Sequence, residues 1–487
     1  MKETKIQNSI IVFLFLLVLF VPIISINREE GKISESEQRY LATFPVVFGE
    51  NGKLITQGLR SGLENWLNDN IGFRDTFVRI HSNINYKILK KSSNEKVEIG
   101  VDGWFFYTLD DNLRIANGTY PLTNEILINI KNKQEKIKEY YNKQGIEYVL
   151  VIAPSKVSIY PEYINSEEYS IRATPIDIVS NYLKENSDVK VINLKDSLLE
   201  AKAKEQVYFK TDTHWNEVGA YIGYQTVINK LNKFGLVNTK PVEVMKTEAL
   251  HKGEFSAMMG DKNLLGEERT INTEIVKPKA ESIEIANLGQ AKATYAYRNA
   301  AIEGKKLLLY GDSMFGLWNI PELFAENFTE FTYVWSYEML HETAELLKPD
   351  IVMYEITERY LNMLGNFNEG FVSYNLKNPD AEIITHNTPT EIKPGEKYDI
   401  NIKVKNLGDE NWSEDNFIRL CIWQDGVDHG YRIMIPDGIE IKPGEEYTFV
   451  LDDFQAPPTD STYLEFQMLQ EGRVYFGERQ RVDITVK

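Results

Sequence analysis

The chain has 487 residues, of which 43% are hydrophobic and 12% aromatic, so it can bury several cores and is not a disordered protein. Its 54 Lys and Arg residues against 72 Asp and Glu residues give a net charge of −18, which argues against nucleic acid or an anionic polymer as a generic electrostatic partner. The single cysteine, Cys421, excludes an intramolecular disulfide framework and a cysteine-rich zinc site.

Residues 9–26 form an uncharged and almost wholly apolar stretch near the amino terminus. This length is the lower limit for a membrane-spanning helix and exceeds the apolar region of a typical signal peptide. Lys2 and Lys5 precede the stretch, which predicts that residues 1–8 stay in the cytoplasm and that the bulk of the chain is extracytoplasmic. We therefore expect a single-pass protein of the cell membrane with an uncleaved signal-anchor helix; a cleaved signal peptide is the alternative.

A polar lead-in over residues 28–85 is followed by alternating strand and helix patterns, which predict an α/β catalytic domain over residues 86–378. Apolar residues flank Asp102 and Gly103, a strong turn signal, and indicate a hairpin. A Lys/Glu-rich helix is expected to end at Gly145. The recurrence of strand and helix predicts crossover units and a mostly parallel sheet flanked by helices. Strands of this sheet are expected within 146–156, 189–194, 305–310, 328–335 and 349–360.

The pattern changes after residue 379, and residues 381–487 show short runs in which apolar and polar residues alternate. Turns of the form KPGE occur at 393–396 and at 442–445. Short alternating strands at regular spacing predict an all-β sandwich of the immunoglobulin type. Trp412, Trp423 and Tyr431 would be able to stack on sugar rings there, with packing in the core as the alternative for each.

A Gly-Asp-Ser turn at residues 311–313 ends the Leu-rich strand of the predicted sheet. In open α/β sheets, ligands bind at this carboxyl edge. A serine at that position, Ser313, would act as a nucleophile, and its own backbone N–H would help to hold an oxyanion. A polar turn without chemistry is the alternative, because Gly, Asp and Ser are common turn residues.

The segment TDTHWN at residues 211–216 supplies the base that a nucleophilic serine needs. Asp212 and His214 lie two residues apart, so in an extended segment both face the same way, and the carboxylate can orient the imidazole. A helix-capping aspartate and a surface histidine are the alternative. The other histidines, including His251, lack an acidic residue at comparable spacing. No two histidines fall at ligand spacing, so neither a metal site nor a cofactor is expected.

The order of D-T-H-W and a later G-D-S in an α/β domain resembles the alginate O-acetyltransferase-like (AlgX/AlgJ-type) SGNH hydrolase-like family. Five further passages, within about residues 35–365, carry the resemblance: EQRYLATFP at 37–45, DGWFFY at 102–107, APSKVSIYPE at 153–162, KGEFSAMM at 252–259 and YEITER at 354–359. The resemblance implies an SGNH-hydrolase-like parallel sheet in which Ser313 is the nucleophile, His214 the general base and Asp212 its orienting carboxylate. The Gly and Asn blocks that complete an SGNH oxyanion hole are not found, which leaves the second donor unassigned.

The resemblance further implies an extracytoplasmic enzyme that adds acetyl groups to hydroxyls of a cell-surface or secreted polysaccharide. A membrane-bound O-acyltransferase would supply the acetyl donor, and Trp215, Tyr354 and Trp412 are expected to contact the polysaccharide acceptor. A polysaccharide acetyl esterase with the same triad is the alternative; a non-catalytic wall-binding protein is a third possibility and requires an unformed triad. The C-terminal region departs from the family and resembles immunoglobulin-like domains found beside bacterial carbohydrate-active enzymes.

Overall fold

The structure is a computed structural model, and the residues that it describes are 12–13, 15–16, 20–28, 32, 41–45, 47, 59–164, 173–285, 288, 291–365, 372–373, 376–393, 396–436, 438–455, 461–471 and 473–486. The predicted anchor, residues 9–26, lies partly outside these residues, and so do residues 1–8 and much of the lead-in at 28–85. Among the helices that the structure describes, none is long and apolar enough to cross a bilayer.

Residues 12–13, 15–16 and 20–24 are helical. From residue 59 onward, the helices of the described residues are α1 (Leu59–Asn70), α2 (Arg74–Asn83), α3 (Asn112–Ala116), α4 (Asn124–Asn142), α5 (Lys156–Ile159), α6 (Pro175–Asn186), α7 (Lys195–Lys202), α8 (Glu217–Lys233), α9 (Phe255–Met258), α10 (Ser313–Gly316), α11 (Ile320–Ala325) and α12 (His341–Leu347). A π-helical turn covers Ile84–Leu89, and 3₁₀ turns cover Pro161–Tyr163, Glu358–Leu364 and Glu414–Asn416.

The strands of the amino-terminal two thirds are β1 (Val97–Ile99), β2 (Phe105–Tyr107), β3 (Glu147–Ala153), β4 (Lys190–Asn193), β5 (Val244–His251), β6 (Glu268–Ile275), β7 (Glu281–Ile283), β8 (Thr294–Arg298), β9 (Lys306–Gly311), β10 (Glu330–Trp335), β11 (Met339–Leu340), β12 (Ile351–Thr357) and β13 (Val372–Ser373). The strands of the carboxy-terminal region are β14 (Ala381–His386), β15 (Glu391–Ile392), β16 (Lys397–Asn406), β17 (Ile418–Gln424), β18 (Val427–Met434), β19 (Glu446–Gln455), β20 (Ser461–Gln470) and β21 (Val474–Val486).

A seven-stranded sheet in the order β4-β3-β12-β9-β10-β8-β7 forms the centre of the α/β region. Its first five strands are parallel, as the sequence predicts. Strands β8 and β7 join the other edge in antiparallel orientation, so the prediction of a parallel sheet is wrong for that edge. Strand β8 directly precedes β9 in the chain, and the connection between them is too short for the helical crossover that a parallel arrangement needs.

Residues on the two faces of the sheet enter two different cores, as expected for parallel strands covered on both sides. Along β3, Val149 and Val151 pack with α8, whereas Leu150 and Ile152 pack with α4 and α6. Helix α4 starts at a side-chain cap, because the Thr123 hydroxyl accepts the Ile126 N–H at 3.2 Å. Gly145 lies beyond its end with a φ of +75°, which confirms the predicted stop.

Two antiparallel hairpins lie outside the central sheet. The first pairs β1 with β2 around Asp102 and Gly103 and confirms the hairpin predicted there. The second pairs β5 with β6 over their full length and was not predicted. Both hairpins matter for function, because the loop that carries the candidate histidine packs between them.

The carboxy-terminal region consists almost wholly of strands. One sheet has the order β14-β16-β19 and the other the order β15-β21-β20-β17-β18. Alternate residues of β16, such as Ile400 and Ile402, pack with Leu420 and Ile422 of β17 in one shared core. The strands that the alternating pattern predicts for this region are therefore confirmed. An ion pair of 2.9 Å between Arg473 and Glu338 connects it to the α/β region.

Candidate active site

The TDTHWN segment lies in the connection from α7 to α8, and its ends are fixed by side-chain hydrogen bonds. The carboxylate of Glu268, at the start of β6, accepts the Thr211 N–H at 2.9 Å and the Thr211 hydroxyl at 2.6 Å. At the other end, Asn216 caps α8 by accepting the Gly219 N–H at 3.0 Å. Gly253 lies so close that a Cβ there would meet the Thr211 carbonyl oxygen at 2.0 Å.

Asp212 is 5% exposed and accepts four hydrogen bonds. Its Oδ1 accepts from the His214 Nδ1–H at 2.7 Å and from the His214 backbone N–H at 3.1 Å. Its Oδ2 accepts from His251 Nε2 and from the Glu254 backbone N–H, both at 3.2 Å. The carboxylate is therefore held on both oxygens, which fixes its orientation toward His214.

Ser313 follows β9 at the carboxyl edge of the sheet, as predicted. The preceding Asp312 fixes this turn, because its Oδ1 accepts the Met314 N–H at 2.8 Å. Its Oδ2 accepts the Thr357 hydroxyl at 2.6 Å, the Thr357 N–H at 3.1 Å and the Tyr337 hydroxyl at 3.0 Å. The neighbouring strand β12 thus holds the serine turn in place.

The three residues predicted as a triad meet in space. The Ser313 hydroxyl lies 2.8 Å from His214 Nε2, and the opposite ring nitrogen of His214 donates to Asp212. The non-catalytic alternative requires an unformed triad. The observed hydrogen-bond distance does not meet this condition. Trp215 connects the two segments further, since its Nε1–H donates to the Met314 carbonyl at 3.1 Å.

Electrostatics favours proton transfer along this chain. Burial alone would lower the pKa of His214, but the hydrogen bond and charge of Asp212 outweigh it, so the pKa is raised above its ordinary value of 6.5. Burial would raise the pKa of Asp212, but the hydrogen bonds from His214 and His251 lower it well below its usual range. Asp212 therefore stays ionised and stabilises the imidazolium that forms when His214 accepts a proton.

Lys156 holds the TDTHWN loop in place through hydrogen bonds to backbone carbonyls. Its ammonium group is buried and donates to the carbonyls of Phe105 at 2.6 Å, Lys210 at 2.9 Å and Asp212 at 2.9 Å. It also lies 5.1 Å from the centre of the Trp104 ring. Burial lowers the pKa of Lys156 to about 7. This lysine belongs to the APSK passage that the sequence resemblance singled out, but no chemical role was predicted for it.

Oxygen and nitrogen atoms of Asp212, His214 and Glu254 lie within 4.8 Å of one another, a grouping that metal sites also show. Both ring nitrogens of His214 already face a partner in the triad. Glu254 in turn accepts the Thr213 backbone N–H at 3.1 Å and the Thr213 hydroxyl. These contacts support a hydrogen-bonded catalytic loop.

The three residues predicted to contact the acceptor are all buried, and this prediction is wrong. Trp215 packs in the core against Phe315, with ring centres 5.7 Å apart. Tyr354 lies in the middle of β12 within the core of the opposite sheet face. Trp412 packs against Phe476 inside the carboxy-terminal core. A side chain with no exposed surface cannot contact a polysaccharide. The prediction failed because aromatic residues in a strand or loop pack inward as readily as they face solvent.

Sequence reasoning missed His251, which it set aside for lack of a nearby acid. The imidazole stacks on Phe209, with ring centres 3.7 Å apart, and donates to Asp212 from 39 residues away. Trp318, half-buried beside both histidines, was also missed; its ring centre lies 6.3 Å from that of His214. The KGEFS and YEITER passages point to these surroundings, since Gly253, Glu254 and Thr357 lie in them.

A Ser-His-Asp chain at the carboxyl edge of an α/β sheet defines a serine hydrolase-like site, which acyltransferases also use. Residues 97–295 match the family model described as the SGNH hydrolase-like domain of the acetyltransferase AlgX. This match confirms the resemblance predicted from the sequence for that part of the chain. Asp212 and His214 lie within the matched residues, and Ser313 lies beyond them.

Curated relatives carry the name probable alginate O-acetylase AlgJ. The protein of Pseudomonas putida is 28% identical over 165 residues, which are 34% of this chain and 40% of the relative. The protein of Pseudomonas syringae is 24% identical over 331 residues, or 62% of this chain and 78% of the relative. The chain thus spans about two fifths of the length of the first relative.

Solved structures that match the chain include the O-acetyltransferase domain of Pseudomonas putida AlgJ and Bacillus cereus PatB1 with a sulfonyl adduct. The first is 20% identical, covers 55% of this chain and 92% of its own, and has a TM-score of 0.39. The second is 16% identical, covers 56% of this chain and 100% of its own, and has a TM-score of 0.42.

Proposed function

We propose that this protein is an extracytoplasmic O-acetyltransferase that adds acetyl groups to hydroxyls of a cell-surface or secreted polysaccharide. The observation that carries the proposal is the hydrogen-bond chain from Asp212 through His214 to Ser313, with distances of 2.7 and 2.8 Å. Names of the relatives, which refer to alginate O-acetylation, support the reaction class.

The reaction has two halves with one intermediate. His214 Nε2 takes the proton of Ser313 as the hydroxyl oxygen attacks the acetyl carbon of the donor, and the departing donor oxygen receives that proton. The acetyl group is then an ester of Ser313. A sugar hydroxyl attacks this ester after giving its proton to His214, and Ser313 regains a proton when it leaves. An esterase would use water in place of the sugar hydroxyl.

We further propose that residues 9–26 anchor the protein in the cell membrane as a single-pass signal anchor. A membrane-bound O-acyltransferase would then deliver acetyl groups from the cytoplasmic side to the triad. The net charge of −18 disfavours a polyanionic acceptor, because like charges repel, so a neutral glycan suits the chain better than alginate.

The carboxy-terminal region, residues 381–487, is proposed to be an immunoglobulin-like sandwich that holds the polysaccharide near the site. Tyr431, which is 55% exposed, is a candidate for stacking on a sugar ring, whereas Trp412 is not, because it is buried. Binding at a second place on a long glycan raises the local concentration of acceptor hydroxyls without any new contact at the triad.

Replacement of the nucleophile tests the proposed function. Ser313→Ala is expected to lower turnover of a chromogenic acetyl ester by several orders of magnitude, because no oxygen remains to attack the acetyl group. A melting curve checks that the variant folds. Ester turnover within about tenfold of wild type would remove Ser313 from the mechanism. Release of free acetate with no acetyl on any glycan acceptor would favour the esterase.

A further inference from the structure

The oxyanion that forms during acyl transfer needs hydrogen-bond donors, and the serine turn supplies few of them. In nucleophile-elbow sites the N–H of the residue after the nucleophile is one donor. Here the Met314 N–H is already bound to the Asp312 carboxylate at 2.8 Å. The Ser313 N–H is the donor that the sequence predicts, so at least one further donor has to come from another segment.

Arg359 lies at the same edge of the sheet, close to this turn. Strands β12 and β9 are parallel neighbours, with Tyr354 beside Tyr310. Farther along, the Thr357 N–H donates to Asp312, which places the end of β12 against the serine turn. Arg359 follows two residues later and is 8% exposed. Its guanidinium carbon lies 4.8 Å from the centre of the Tyr360 ring.

The cation has no carboxylate partner of its own within the described residues. No ion pair to Arg359 occurs there within 4.0 Å, and its buried Nε–H meets no acceptor in the same part of the chain. Burial would lower the pKa of Arg359, but Tyr360 and Asp312 outweigh it and raise the pKa. The guanidinium is therefore charged, buried and not neutralised by a close contact.

Four acidic side chains near Arg359 already accept hydrogen bonds from other groups. Asp312 uses both oxygens for the N–H and hydroxyl donors of its own turn and of β12. Glu355 accepts the Asp312 N–H at 3.0 Å, and burial and the charge of Asp312 raise the pKa of Glu355 well above its ordinary value. Glu358 accepts the N–H groups of Ser155 and Ile176. Asp110 accepts the Tyr360 hydroxyl at 3.0 Å.

The field of the cation extends to the catalytic base. Besides burial and the opposing effect of Asp212, the charge of Arg359 acts to lower the pKa of His214. A cation whose charge reaches His214, at the sheet edge where Ser313 lies, would stabilise the negative charge that develops on the acetyl oxygen. Such a donor is most effective when it is fixed beforehand and has no competing anion.

We propose that Arg359 is a catalytic residue that, together with the Ser313 N–H, binds the oxyanion of the tetrahedral intermediate. This inference rests on the proposed function. As Ser313 Oγ bonds to the acetyl carbon, the carbonyl electron pair moves onto its oxygen and His214 takes the serine proton. The guanidinium donates to that oxygen. When the C=O bond re-forms, the donor oxygen leaves with the proton from His214, and the contact to Arg359 weakens.

Arg359→Gln and Arg359→Lys in the full-length protein test the inference with a chromogenic acetyl ester. Loss of one oxyanion donor lowers kcat by about 10²–10³-fold, with KM changed less than about threefold. The lysine variant keeps the charge without the planar fork, so it should lose at least about tenfold. Arg298→Gln is the control, because Arg298 ends the antiparallel strand β8 and its guanidinium pairs with Glu330 on the neighbouring strand β10.

A second readout separates catalysis from folding. Removal of a positive charge raises the pKa of His214, so the midpoint of kcat/KM against pH should move upward in Arg359→Gln and stay near wild type in Arg359→Lys. If Arg359→Gln does not fold, the kcat loss in Arg359→Lys decides. Variants with kcat within about threefold of wild type would overturn this inference alone. No ester turnover by the wild-type protein would overturn the proposed function and this inference together.

Discussion

The contacts of Lys156 predict how its replacement changes the free energy of unfolding. Its buried ammonium donates to the carbonyls of Phe105, Lys210 and Asp212. Replacement by Met removes these donors. The Lys210 carbonyl keeps the Phe105 N–H at 3.0 Å, whereas a buried carbonyl left with no donor costs about 1–3 kcal/mol. At high pH, where the buried group is neutral, Lys156→Met should therefore lower the free energy of unfolding. Lys210→Met is the matched control, since that ammonium is exposed and donates to the Asp102 carbonyl.

The free energy of unfolding that Lys156→Met loses also depends on pH. Burial lowers the pKa of Lys156 from 10.5 to about 7 in the folded protein. Between these values the unfolded chain binds the extra proton, so the stability due to Lys156 is present above pH 10.5 and is lost as pH falls to about 7. At about 1.4 kcal/mol per pH unit, the whole interval corresponds to roughly 5 kcal/mol. Lys156→Met lacks this dependence.

Urea unfolding of the wild-type protein and of both variants, followed by tryptophan fluorescence from pH 6 to 10, measures the difference directly. We expect the stability gap between wild type and Lys156→Met to widen by about 1.4 kcal/mol for each pH unit above 7. Lys210→Met should run parallel to wild type. If the wild type and Lys156→Met curves are also parallel, Lys156 titrates normally and the argument from burial is wrong.

Two further predictions concern activity. The kcat/KM of the wild-type protein toward an acetyl ester should rise with pH through one ionisation centred above 6.5, because Asp212 raises the pKa of His214 and the base must be neutral; a midpoint below 6.5, or an unchanged profile in His214→Ala, would contradict this. Deletion of residues 381–487 should keep ester turnover within about threefold but lower transfer to long glycans by at least about tenfold relative to short ones, as expected if the sandwich concentrates polymer. An equal loss on both substrates would make the sandwich part of the catalytic body, which its ion pair between Arg473 and Glu338 allows.

The triad could be predicted from the sequence because its chemistry is local. Asp212 and His214 are two residues apart, and Ser313 follows a strand whose apolar run is unmistakable. Parallel strands bring such turns to one edge, so the meeting of the two segments needed only a sheet. The strands β3, β4, β9, β10 and β12 were likewise predicted close to their observed positions, because each has a short apolar run.

The residues around the triad could not be predicted, because tertiary contacts place them. His251 reaches Asp212 from the end of β5, a strand in a polar hairpin that periodicity did not reveal. Aromatic residues were misassigned for a related reason. Trp215 follows His214 directly, yet the side chain points into the core, and sequence alone does not show which way a loop residue faces.

The central claim is that Ser313 carries the acetyl group between donor and acceptor. Mixing the full-length protein with an acetyl ester, quenching in acid within the first turnover and mapping peptides by mass spectrometry tests it most directly. The account predicts one acetyl group on Ser313, absent in Ser313→Ala and lost again when a hydroxyl-bearing glycan is added before the quench. Acetyl found on a different residue, or turnover with no acetylated peptide at any time, would contradict the account.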